Sequence, residues 1–266
     1  MRLAFRVAYL GDGFFGSQVQ ADRRTVEGEM IAAAGRLALF DDWRGAGFAF
    51  AGRTDRGVHA RGQVAAFDTT DPDRARSALN LQLPRDVWCT GVAEVPGTFH
   101  PRYDARSRTY RYFFPKIPLD AGAMARAAGS FEGSHDFSRF ARVEGRDPVR
   151  KVLSARVLPD ESPGGGFLCF EIRAESFLWQ MARGMAGALL AVGTGDLDEG
   201  GLEELLGALP GERFPPAPSS GLVLWEVDCG IGFAPLERSP RSTAFLTGVR
   251  SHHEVLARVT SILEHI

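Results

Sequence analysis

Apolar and polar positions alternate across residues 3–10 (LAFRVAYL), a period of two that predicts a strand, and from Thr25 the apolar spacing becomes helical to about Leu39. Further strands are expected at 47–51 and 63–68. Asp71-Pro72 offers a capping side chain followed by proline at the first helical position, opening a helix to about Leu81, and a strand at 87–95 closes this half. The order is β-α-β-β-α-β. The second half repeats it: a strand at 106–114, a helix at 119–129, strands near 150–158 and 166–174, a helix at 176–192 and a strand at 222–228. Additional material lies between the last two, with a proline- and serine-rich loop over Pro210 to Gly221. After Gly230 a loop with Pro235 and Pro240 leads to a terminal helix from about Ser251. Its Val255, Val259, Ile262 and Ile266 form a stripe that needs a covering surface, first its own subunit and second a subunit interface.

This is the split βαβ pattern twice over, so the expected class is α+β: two ferredoxin/RRM-like halves forming a mixed, mainly antiparallel central sheet flanked by helices. The corresponding division is 1–104, 105–235 and a C-terminal extension, 236–266. Sheets of this type are frequent platforms for RNA, although the fold hosts many functions.

Composition narrows the function only a little. The net charge of −2 means that any nucleic-acid role must come from a local basic face. Of the 31 basic side chains only Lys116 and Lys151 are lysines, and arginine suits phosphate forks and base stacking better than lysine. Cys89, Cys169 and Cys229 lie far apart without a CxxC pair and read as buried thiols of a reducing cytoplasm. The amino terminus is too short and charged for a secretory signal, and no apolar run approaches membrane-spanning length. A cytoplasmic protein with no membrane partner is expected.

The chemistry concentrates in AGRTDRGVHARGQVAAF, residues 51–67. Here Asp55 stands among Arg53, Arg56 and Arg61, with Gly52, Gly57 and Gly62 shaping a loop. A salt-bridged structural turn and a site that keeps a carboxylate ionised both fit these residues. The helix expected at 176–192 is apolar on nearly every face yet carries Arg183 in its middle. A buried guanidinium needs an anion, with Asp55, Glu171 and Glu175 as the carboxylates on offer, unless its stem carries the charge out to solvent. Gly184, Gly187 and Ala188 leave room for another backbone against that helix. Tyr110, Tyr112 and Arg108 share one strand face, where aromatic rings beside arginines can either pack or stack an unpaired base. Arg102, Arg106, Arg108 and Arg111 form one basic group, and Arg139, Arg142, Arg146, Arg150 and Lys151 another. His59, His100 and His135 lack metal-ligand spacing, so a metal site is not expected.

The run GRTDRGVHARGQV resembles the GRTDxGVHAxGQV signature of the TruA family of tRNA pseudouridine synthases. YLGDGFFGSQVQ is similar to that family's YDGxxxxGWQxQ, NLQLPRDV to its NxxLPxDI, FHPRYDARSRTYRY to its FHARxxAxxRxYxY, SHDFSRF to a short helix-turn segment, and FLWQMARGMAG to its FxxxMVRxxVG. The likeness covers about residues 3–230. It implies that Asp55 is the catalytic aspartate and nucleophile, that Arg183 is its partner and that Tyr110 packs against the target base. Arg53 would help displace the target nucleotide, and Arg56, His59 and Arg108 are expected RNA contacts. Ser17, Ala182 and Gly184 depart from the usual tryptophan, valine and asparagine. The resemblance further implies a homodimer that binds one tRNA and converts uridines 38 to 40 of the anticodon arm to pseudouridine, without metal or cofactor. A catalytically silent RNA-binding protein on the same fold is the alternative, and a base-releasing glycosidase a second.

Overall fold

The computed structural model describes residues 1–161, 165–207 and 211–264. In the first half the elements are β1 (Arg2–Tyr9), α1 (Val26–Arg36), β2 (Ala49–Phe50), β3 (His59–Asp68), α2 (Pro72–Gln82) and β4 (Val87–Glu94). The second half holds β5 (Ser107–Phe113), α3 (Ala121–Gly129), β6 (Gly133–Asp136), β7 (Val149–Pro159), β8 (Leu168–Ala174), α4 (Met181–Thr194), α5 (Glu199–Leu206) and β9 (Leu222–Asp228). A short β10 (Ala234–Pro235) and the long α6 (Pro240–Leu263) follow.

All ten strands join one sheet in the order β10-β4-β1-β3-β9-β5-β8-β7-β6, with β2 also on β3. Each half therefore arranges its strands alike, β4-β1-β3-β2 and β9-β5-β8-β7, the split βαβ order read from the sequence. Every pairing is antiparallel except the seam between the halves. There β3 and β9 run parallel through only two paired positions, His59 with Val223 and Ala60 with Leu224. The seam fits because β2 covers the far end of the same β3 edge at Ala65 and Ala66, leaving the end beside the Asp55 loop open for β9. One continuous core spans both halves, from Phe5, Phe67 and Met30 to Phe131, Phe170 and Leu189.

Local signals explain most boundaries. Thr25 caps α1 by accepting from the Gly28 N–H, and Asp71 caps α2 at Arg74 with Pro72 at its start. Several boundaries differ from expectation. Strand β3 begins at His59 rather than 63, and β2 is confined to Ala49–Phe50. Helix α4 begins at Met181 rather than 176 because Gln180 adopts the left-handed conformation, φ 64°, which breaks the helical run. Helix α6 begins at Pro240, eleven residues before Ser251, capped by Ser239 in the arrangement that opens α2, while Pro235 sits in a strand rather than a loop. The β6 strand, GSHD, has no apolar alternation; it forms an edge held only by β7.

The stripe on α6 is not covered by its own subunit. Val255, Leu256, Val259, Ile262 and Leu263 are all exposed, while Ile266 lies outside the described residues. The beginning of the helix is anchored: Arg241 donates to the Leu81 and Leu83 carbonyls, and Arg85 lies over the Phe245 ring. Pro210, the first residue of the expected loop before β9, likewise lies outside the described residues. Among the described residues no helix is long and apolar enough to cross a membrane.

Candidate active site

Asp55 lies in the loop between β2 and β3, at the seam between the halves. The loop is held from three sides. Ser17, fully enclosed, receives the Thr54 N–H on its hydroxyl at 2.8 Å and donates its own N–H to the Thr54 carbonyl at 3.1 Å. The Thr54 hydroxyl bonds the Tyr9 phenol at 2.8 Å, and burial pushes that phenol up to about 12. The Val58 N–H closes the turn onto the Asp55 carbonyl at 3.1 Å. Two glycines make the close approach possible: Gly16 has φ 93°, and Gly57 has φ 80° with a Ser219 hydroxyl where a Cβ would stand.

Arg183 reaches Asp55 from the other half, Nη1 to Oδ2 at 3.0 Å, with side-chain exposures of 15% and 23%. Glu171 and Glu175 are taken elsewhere, by Arg111 and Lys151. The small residues of α4 set this reach. A Cβ on Gly187 would overlap the Pro215 carbonyl, so the loop 211–218 lies directly on the helix and gives Arg183 Nε the Ala217 carbonyl at 2.8 Å. A Cβ on Gly184 would overlap the Phe140 carbonyl, which brings the following residues, Ala141 and Arg142, against the start of α4. The glycine at 184 is thus required by a second backbone crossing, a physical reason for the departure from asparagine.

The other carboxylate oxygen is also occupied. Trp179 Nε1 donates to Asp55 Oδ1 at 2.8 Å, a contact the sequence did not single out. Tyr110 on β5 is enclosed beside this group, edge-on to Phe177 at 4.8 Å, and burial drives its phenol far above the ordinary tyrosine range.

Around Asp55 opens a cleft of about 760 Å³ whose lining includes seven arginines against two carboxylates, Asp55 and Glu144. This is the local basic face that the chain's overall charge conceals. Arg53 and Arg56 are exposed at its rim, and Arg56 and Arg23 both lie over the Phe15 ring, at 4.5 and 4.6 Å. Tyr103, also on the lining, is 78% exposed and pairs with His100. Nothing in the local sequence separated it from a packed ring.

Two expected RNA contacts are otherwise engaged. His59 accepts the Gly11 N–H on Nδ1 at 2.9 Å and, with that nitrogen used as acceptor, donates from Nε2 to the Ser220 carbonyl at 3.1 Å. It ties the amino-terminal loop to the strand seam. Arg108 donates to the carbonyls of Glu175, Ala51 and Arg102, which fastens β5 to the Asp55 loop. Desolvation, the largest influence, lowers the Arg108 pKa. Arg53, Asp55, Tyr110, Arg108 and Arg183 all line the one cleft, whereas His59 does not. Among the described residues no group of three or more His, Cys, Asp or Glu side chains is placed to hold a metal ion.

Comparison with known proteins gives the same neighbourhood. A family model described as tRNA pseudouridine synthase matches residues 127–228. The tRNA pseudouridine synthase A of Methanosphaerula palustris is 53% identical over 99% of this chain and 93% of its own length. That of Methanoculleus marisnigri is 52% identical over 99% and 96%, and that of Thermococcus onnurineus 41% over 99% and 95%. At this identity over almost the whole chain, the chain belongs to the TruA family of tRNA pseudouridine synthases.

Proposed function

We propose that this protein isomerises uridine to pseudouridine at positions 38 to 40 of the tRNA anticodon stem-loop, with Asp55 as the nucleophile. One observation carries the reading: a carboxylate from one half of the sheet is gripped by an arginine from the other, inside a cleft rich in arginines. Each element of the reaction finds a group suited to it. The target base must leave its stack before its glycosidic bond can be reached, and Tyr110 supplies an aromatic wall beside Asp55. Breaking the bond between C1′ and N1 develops positive charge at the anomeric carbon, which an ionised carboxylate can trap or stabilise, as in glycosidases. The freed base rotates, C5 joins C1′, the C5 hydrogen is lost as a proton and N1 gains one. Attack at C1′, attack at C6 and removal of the C2′ proton all draw on the same ionised Asp55, and all end in loss of the C5 hydrogen.

The arginines of the cleft serve the phosphates, with Arg53 and Arg56 at the rim contacting RNA directly. Arg108 and His59 act through the loop and seam they hold. The division at 1–104, 105–235 and 236–266 assigns Asp55 to one half and Tyr110 with Arg183 to the other. The exposed stripe on α6 supports a homodimer in which that helix lies at a subunit contact.

The test is tRNA carrying tritium at uridine C5, incubated with the protein and a chelator but no added cofactor. Tritium should enter water, and product mapping should place pseudouridine in the anticodon arm. Retained label would indicate RNA binding alone; labelled free uracil would indicate hydrolysis.

A further inference from the structure

The Asp55 carboxylate has one donor on each oxygen, and the two donors are unlike. Arg183 is charged and belongs to an enclosed helix, fixed from behind by the Ala217 carbonyl. Trp179 is neutral and 42% exposed, and it belongs to the extended segment just before that helix. The torsion that turns a carboxylate about its own axis is broad, so a single contact on Oδ2 leaves the plane of the group free to swing. A second donor on Oδ1 at 2.8 Å fixes that plane.

The indole is itself placed with care for a side chain so open to solvent. The Trp179 carbonyl accepts the Arg142 N–H at 2.8 Å, and the Arg142 guanidinium lies over the indole ring at 4.6 Å. The next residue, Gln180, holds φ 64°, a left-handed conformation that costs a residue with a side chain about 1 kcal/mol or more. Its Oε1 is anchored by Arg213 Nη1 at 2.9 Å. That turn lets Trp179 face Asp55 while Arg183, one helical turn onward, faces it too.

We propose that Trp179 is a positioning residue for the isomerisation: its Nε1–H sets the orientation in which Asp55 meets the target uridine. The inference rests on the reading of Asp55 as the reacting carboxylate. It predicts that the N–H, rather than the bulk of the indole, is what the reaction uses.

Two replacements at position 179 separate those properties. Trp179→Phe keeps an aromatic ring and removes the donor. Incorporation of 3-benzothienylalanine keeps the shape and stacking surface of the indole and exchanges only the N–H for sulfur. With tritium-labelled tRNA, both should lower kcat by about 10- to 100-fold while KM stays within about threefold, and both should melt with the wild-type protein. Full kcat with 3-benzothienylalanine would overturn the proposal, and so would a loss confined to KM, which would make Trp179 an RNA contact. Asp55→Asn is measured alongside. If it turns over at the wild-type rate, the premise fails and the proposal with it; if it is inactive and the position-179 variants are unimpaired, only the positioning role is refuted.

Discussion

Asp55 and Arg183 are 128 positions apart in the chain and meet at 3.0 Å, so the candidate site exists only when the two halves of the sheet are docked. Replacing the arginine by methionine keeps much of its apolar stem and removes the charge. Arg183→Met should lower kcat about a hundredfold, the loss expected when one fixed donor is taken from a reacting group. It should also lower the melting temperature, because Asp55 remains partly enclosed without its ionic partner. Steady-state tritium release and calorimetry measure the two effects, and an unimpaired variant would dissociate the pair from function.

Asp55→Asn retains the shape of the side chain and loses its charge. Tritium release should fall below detection, while tRNA affinity measured by filter binding should change by no more than a fewfold. Turnover at the wild-type rate would remove Asp55 from the chemistry.

Ser17, the departure from the tryptophan of the family pattern, fastens the Asp55 loop through its hydroxyl and its N–H. Ser17→Ala leaves the Thr54 N–H enclosed without its partner, at a cost of about 1–3 kcal/mol. The expected result is reduced stability in urea together with a lower kcat, since Thr54 directly precedes Asp55. A loss of tRNA affinity alone would point instead to an RNA contact.

The three cysteines are free and buried, and burial raises every one of their thiol pKa values, Cys169 and Cys229 to about 11. A thiol with that value holds roughly a thousandth of its population as thiolate at pH 8. Ellman's reagent at that pH should therefore find no fast-reacting thiol in the folded protein and three after unfolding in guanidinium. One rapid equivalent without denaturant would contradict the packing.

His100 titrates the other way. Desolvation and then the nearby Arg2 lower its pKa, and its Nδ1 accepts the Arg102 N–H at 3.2 Å. The folded state thus takes up this proton less readily than the unfolded chain. Its contribution to stability is full above the unfolded value near 6.5 and is lost as pH falls through the lower folded value. Urea midpoints should fall between pH 7 and 5, and part of that slope should disappear in His100→Gln.

The exposed stripe on α6 predicts a measurable assembly effect. Light scattering of the full chain should give the mass of a dimer, and removal of residues 245–266 should weaken that dimer about tenfold or more, given the apolar area re-exposed. An active monomer would contradict the dimer; an unaltered dimer after truncation would remove only α6 from the interface.

The fold was legible where periodicity and caps agree, as in α1, α2 and β9. It was obscured where one residue reverses a local trend. SFLWQ reads as the first turn of α4 because Phe177, Leu178 and Trp179 continue its apolar run; only the left-handed Gln180 ends that reading, and glutamine gives no warning of it. The start of α6 was encoded in Ser239-Pro240, the signal that served at Asp71-Pro72, but a second proline nearby suggested a loop. That Asp55, Arg183 and Tyr110 come together in one cleft was legible from residue type and motif. Trp179 was not, since an indole among apolar neighbours gives no sign that its N–H meets an anion, whereas a charge in an apolar helix does. Arg108 and His59 looked like free polar groups, and what the sequence could not show is that backbone carbonyls and an amide already occupy them.

The two-position seam between β3 and β9 also imposes an order in time. Asp55 leaves the ribosome early, Arg183 much later, and the strand that joins their halves comes last, at Leu222–Asp228. A nascent chain halted before that strand already contains the carboxylate and the guanidinium but lacks the piece that holds them face to face. The candidate site is therefore assembled only after synthesis has passed Asp228, and a chain that stops earlier carries both groups without the strand through which their halves pair.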